Sequence, residues 1–111
     1  MSFDPMAAAI DWLDAYRAAD LEAIVSMHAD SAVVYCKCCV SETIASRARL
    51  RAFWQERFLD DCVPSELRDI QPASHGTSIS FVTPRGLTTA VLHFDADGKI
   101  ANMEWGPLSA P

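Results

Sequence analysis

Four residues in a row, Cys36-Lys37-Cys38-Cys39, bring three thiols together. As thiolates they could bind a soft metal ion such as zinc, or attack an electrophilic carbon. A metal would also need ligands from His28, His75 or His93, and no recognised ligand spacing joins these histidines to the thiols. No metal and no cofactor is expected. Strand alternation puts Val34, Cys36 and Cys38 on one face and Val33, Tyr35, Lys37 and Cys39 on the other. Lys37 therefore cannot lower the pKa of Cys36 from its own strand. Without a cation beside it, a buried Cys behaves as a small hydrophobe, and that reading is favoured.

Trp12, Tyr16, Trp54, Met103 and Trp105 form the second group with chemical potential. Such side chains either wall a ligand cavity, giving it apolar surface and a few polar handles, or fill a core. The two readings differ in whether a void remains between them. The titratable residues point less clearly to a site. His28 falls on the apolar stripe of a short helix, as a core histidine would, and His75 lies in a turn beside Gly76. Glu42 and Glu104 sit near sheet positions with nothing in the sequence to partner them. Arg47, Arg49, Arg51 and Arg57 share a helix with acidic neighbours and read as its solvated face.

These residues must be positioned by one small fold, a single domain over residues 1–111. Half of the chain is apolar and 22% is charged, a globular balance. A formal charge of −6 opposes a phosphate backbone, so no nucleic-acid partner is expected. The N-terminus has no basic region followed by an apolar run, and no apolar run reaches membrane length. A cytoplasmic protein that avoids membranes and carries reduced cysteines follows as the expectation.

Asp4-Pro5 opens a helix that should run from Pro5 to Ala18, with Ala9, Trp12, Leu13 and Tyr16 at helical spacing. Asp20 caps a second, with Leu21, Ile24, Val25 and His28 on its stripe. A strand is predicted from Ala32 to Cys39. Ser46 caps a third helix whose stripe is Leu50, Phe53, Trp54 and Phe58, ending before Pro64. Strands near Glu66–Ala73, Thr77–Thr83 and Leu87–Phe94 follow, and the turn Asp95-Ala96-Asp97-Gly98 leads into Lys99–Trp105. The order predicts an α+β fold, three N-terminal helices packed on one face of an antiparallel sheet.

Three blocks carry a family resemblance. The segment Ala15-Tyr16-Arg17-Ala18-Ala19-Asp20-Leu21-Glu22-Ala23-Ile24-Val25, continued by His28-Ala29-Asp30-Ser31-Ala32-Val33, resembles the opening of nuclear transport factor 2-like proteins. Arg49-Leu50-Arg51-Ala52-Phe53-Trp54 is similar to that superfamily's third helix, and His93-Phe94-Asp95-Ala96-Asp97-Gly98-Lys99-Ile100 to its final hairpin. The resemblance extends to the SnoaL-like and ketosteroid isomerase-like branches and covers nearly the whole chain. It implies a cone-shaped pocket of the cystatin-like type, a small apolar organic molecule as partner, and a homodimer through the sheet. Isomerase, cyclase or dehydratase chemistry on such a molecule is the expectation that goes with it; the competing expectation is a non-catalytic homodimeric binding or interaction module whose cone is filled by its own aromatics. Family position or local periodicity turns Trp12, Tyr16, Val34, Cys36, Cys38, Trp54, Leu92, Met103 and Trp105 toward that pocket.

The same matching sets Trp12 where the ketosteroid isomerases keep an oxyanion-hole Tyr, Cys36 where they keep the Asp general base, and Leu92 where they keep a protonated Asp; those three roles are a standard illustration of tuned acid–base chemistry. All three differ here. Leu cannot donate a hydrogen bond, and a thiol with an ordinary pKa near ~8.5 is a poor proton acceptor at neutral pH. Ketosteroid isomerisation by that mechanism is therefore disfavoured, and Cys36 is expected to be a slow-reacting, largely buried thiol in the pocket wall. The outer face of the sheet, carrying Tyr35, Val91 and His93, is the expected dimer contact.

Overall fold

The structure is a computed structural model that describes residues 3–36, 42–44, 46–59, 64–84 and 86–105, with the backbone alone at 36, 42, 43 and 105. Each predicted helix starts where a capping side chain stands. The Asp4 carboxylate accepts from the amides of Met6 at 3.0 Å and Ala7 at 3.3 Å, opening α1 (Pro5–Arg17). The Asp20 carboxylate accepts from Ala23 at 3.2 Å, opening α2 (Leu21–Ser26). The Ser46 hydroxyl accepts from Arg49 at 3.2 Å, opening α3 (Arg47–Leu59).

Strands β1 (His28–Cys36), β2 (Glu42–Ile44), β3 (Glu66–Ala73), β4 (Gly76–Thr83), β5 (Gly86–Phe94) and β6 (Ile100–Trp105) form one sheet in the order β2-β1-β6-β5-β4-β3. From β3 to β6 the chain is the expected meander, with every neighbour antiparallel. The sheet departs from the antiparallel expectation at one seam, because β1 and β6 pair in parallel. Chain order explains it. Between β1 and β6 come β2, α3 and the whole meander, a crossover long enough for a parallel pair.

Two boundaries differ from expectation. His28 opens β1 rather than extending the stripe of α2, since α2 closes at Ser26 and the Ile100 amide donates to the Met27 carbonyl at 2.9 Å, drawing the chain into register with β6. Sheet pairing outweighs local periodicity here. The second difference is β2, which pairs Val34 with Ile44 and Cys36 with Glu42, although Ser41-Glu42 reads locally as a strand stop. Cys38 and Cys39, placed at the end of the predicted first strand, lie outside the described residues.

Alternation sorts the sheet into two faces. Thr77, Ile79, Phe81 and Thr83 of β4, with Thr88, Ala90 and Leu92 of β5, are buried toward the helices. Val34 and Met103 complete this inner face, opposite one another across the parallel seam. Val91, His93 and Tyr35 alternate to the outer face, where Tyr35 is 39% exposed. Against the inner face, α1 lays Trp12, Leu13 and Tyr16, and α3 lays Leu50, Phe53 and Trp54.

The turn between α1 and α2 carries local strain. The Asp20 amide donates to Ala15 and the Ala19 amide to Tyr16, both at 3.0 Å, a double closure that forces Ala19 to φ +53°. This position favours glycine because a Cβ is crowded there. Ala19→Gly is expected to stabilise the fold by about 0.5–1 kcal/mol, read from the urea midpoint at unchanged slope. A lower midpoint would contradict this account of the turn.

Candidate functional site

The space between α1, α3 and the inner face of β4 is where the predicted aromatic residues meet. Trp12 stands edge-on to Tyr16 with ring centroids 5.6 Å apart and to Trp54 at 5.8 Å. Tyr16 meets Trp54 at 5.2 Å, and Phe81 closes the group at 5.8 Å from Trp12 and 5.7 Å from Tyr16. Such separations are direct ring contact, with no room for an interposed molecule. Trp12, Tyr16, Trp54, Val34, Leu92 and Met103 each have 0% exposed surface. Six of the nine pocket positions thus lie in one packed core. Val34, Met103 and Leu92 form a single row across β1, β6 and β5. Cys36 and Trp105 are paired neighbours across the parallel seam, known by backbone position only, and Cys38 is outside the described residues.

Sequence reasoning about the site missed Phe81 and Thr88. Phe81 is a member of the ring cluster, and the alternating run Thr77, Ile79, Phe81, Thr83 is the signal that marks its face. Thr88 sits opposite Phe81 on β5, and its buried hydroxyl has no hydrogen-bond partner. The other inner threonines are satisfied, with the Thr77 hydroxyl donating to the Pro5 carbonyl at 2.9 Å and that of Thr83 to Gly86 at 3.1 Å. Thr88 is therefore the odd one out.

The buried polar or charged side chains among the described residues are His28, Thr77, Thr83 and Thr88, and none is a carboxylate. A carboxylate general base of the isomerase kind has no counterpart in this set. His28 is the one titratable group in it. Its Nδ1–H donates to the Ile24 carbonyl at 2.9 Å, which fixes the tautomer, and its Nε2 is buried without a partner. The ring lies 6.0 Å from that of Trp54. Burial pushes its pKa down to about 4, opposed by the Ile24 hydrogen bond and reinforced by the charge of Arg47. A nitrogen so weakly basic does little proton abstraction near neutral pH.

Arg47 does more than solvate a helix face. It donates to the carbonyls of Val25 at 3.3 Å and His28 at 3.2 Å and to Asp30 at 2.6 Å, so α3 clamps the joint between α2 and β1. Arg51 pairs with Glu22 of α2, and Arg57 lies over the Phe53 ring at 4.7 Å. His93 and Glu104 face each other on the outer side of the sheet at 3.5 Å. No group of three or more potential metal ligands is assembled among the described residues. Open depressions lined by described residues outside the ring cluster include one of about 240 Å³ beside Phe3, one of about 500 Å³ along His28, Asp30 and Asp95, and one of about 130 Å³ against α3. No helix of the described residues is long and apolar enough to cross a membrane.

No protein-family model matches the sequence, and no curated protein matches it. Solved structures do. A SnoaL-like protein of unknown function from Burkholderia thailandensis superposes with a TM-score of 0.81 at 24% identity, over 92% of each chain. An uncharacterized cystatin-fold protein from Novosphingobium aromaticivorans superposes with a TM-score of 0.77 at 18% identity, over 95% of this chain and 99% of the other. The chain therefore has the SnoaL-like, nuclear transport factor 2-like fold. At these identities the likeness defines architecture and leaves activity to the site.

The His28 geometry has a measurable consequence. Its folded pKa lies below the unfolded value of 6.5, so between these limits the unfolded chain binds a proton that the folded chain refuses. Stability is then full above pH 6.5 and falls as the pH drops toward 4, by about 3 kcal/mol in total. His28→Gln should flatten that segment of the urea stability curve, since Gln cannot titrate. An unchanged slope in the variant would place the proton uptake elsewhere.

Proposed function

We propose that this chain is a non-catalytic homodimeric binding or interaction module built on the SnoaL-like fold, whose cone serves as its core. One observation carries the reading: the side chains at six pocket positions have no exposed surface and lie in ring and row contact with one another. The buried polar set adds support, holding no carboxylate to act as general base or acid. The outer sheet face supports the dimer. Val33, Val82 and Val91 are half-buried there beside the exposed Tyr35, and the Ser80 and Thr89 hydroxyls satisfy each other at 2.9 Å. A sheet that is apolar on both sides is stabilised by a cover on each.

A second reading keeps the cone as a site for a small, mostly apolar organic molecule, with isomerase, cyclase or dehydratase chemistry. The unpaired Thr88 hydroxyl favours it, because a buried hydroxyl without a partner costs about 1–3 kcal/mol and could serve a ligand. The packed rings favour the first reading, since a ligand would have to displace them. Neither reading involves nucleic acid or a membrane.

Sedimentation equilibrium at micromolar concentration is expected to report a dimer. Tyr35→Glu combined with Val91→Glu should shift it to monomer while the far-ultraviolet circular dichroism stays native. A native protein that sediments as a monomer at that concentration would contradict the proposal.

A further inference from the structure

We propose that the notch between the Phe3 segment, α1 and the β5–β6 turn is a binding site for a small organic ammonium carried on a short apolar body. This site is separate from the cone and does not depend on the reading given to it. Its volume is about 240 Å³, below the ~300 Å³ at which pockets begin to take drug-sized ligands, which suits one ring or a short alkyl chain.

Part of the lining is apolar. The rings of Phe3 and Phe94 meet edge-on with centroids 5.1 Å apart, and Phe3 remains 45% exposed, so an apolar guest would cover surface that the fold leaves in water. Met27 adds a polarizable wall. Gly98 makes the approach of Phe3 possible: at φ +78°, a Cβ on it would fall within 3.0 Å of the Phe3 ring.

The rim selects the charge. Asp11 of α1 and Asp97 of the turn both border the notch, and neither carboxylate has a hydrogen bond or ion pair among the described residues. Lys99 is the cation that borders it, and its ammonium already donates to the Ser26 carbonyl at 3.0 Å, where α2 ends. Two unpaired carboxylates beside exposed aromatic surface favour a cation, through Coulomb attraction and the negative faces of the rings. An anionic guest of the same shape would meet the same carboxylates as repulsion, and a neutral one would gain only the apolar contact.

The probe is phenethylammonium, titrated into the whole chain while backbone amide shifts are followed, with phenethyl alcohol as the neutral counterpart. Saturable shifts confined to Met27, Gly98 and Lys99 are expected, with a dissociation constant of about 1 mM. The alcohol should bind about tenfold more weakly, and so should phenethylammonium to the Asp11→Asn, Asp97→Asn double variant. Both positions are exposed, so the variant should keep its fold, checked by its melting temperature. No saturable shift up to about 10 mM, equal binding of the alcohol, unaltered binding to the double variant, or shifts centred on Val34, Leu92 and Met103 would each overturn the proposal.

Discussion

The edge-on contact between the Trp12 and Trp54 indoles, with centroids 5.8 Å apart, sets how α1 and α3 lie over the sheet. Tyr16 touches Trp54 on one side and Phe81 on the other, so helix-to-helix and helix-to-sheet packing share the same four rings. A rotation of either helix would break several of these contacts at once. The inner wall of the sheet is thereby part of the core. Among the described residues the buried polar set offers threonines and one weakly basic histidine.

Around that core the polar residues do joining work. Arg47 holds the Val25 carbonyl in the last turn of α2 and the His28 carbonyl that opens β1, and Lys99, just before β6, reaches the Ser26 carbonyl. Cations placed at a helix C-terminus stabilise its free carbonyls. This joint is also where His28 turns inward to donate to Ile24, so its neutrality and the packing beside Trp54 depend on the same few residues. The outer face, with Val33, Val82 and Val91 half-buried beside the exposed Tyr35, is the surface on which the proposed dimer rests.

How far the sequence foretold this can be judged element by element. Asp4, Asp20 and Ser46 mark helix starts because a cap is a local interaction, complete within four residues. The meander from β3 to β6 is legible for a similar reason, since its turns and alternation are short-range signals. The parallel seam, β2 and the true start of β1 are set by pairings between distant segments, which periodicity does not see. The sequence brings several of the expected aromatic residues together and leaves the state of the space between them open. Trp12, Tyr16 and Trp54 converge as their spacing implies, but whether rings enclose a void or fill it depends on fit in three dimensions, and Phe81 supplies the missing volume from β4.

That fit is the central claim, and an apolar probe tests it most directly. Benzene titrated into the native protein, with the methyl signals of Val34, Leu92 and Met103 observed, should produce no saturable shift, because these side chains have no exposed surface. Trp54→Leu, which removes ring volume from the cluster, should take benzene up and shift the same methyls. Saturable uptake by the native protein at those methyls would contradict a self-filled cone and restore the interior as a ligand pocket.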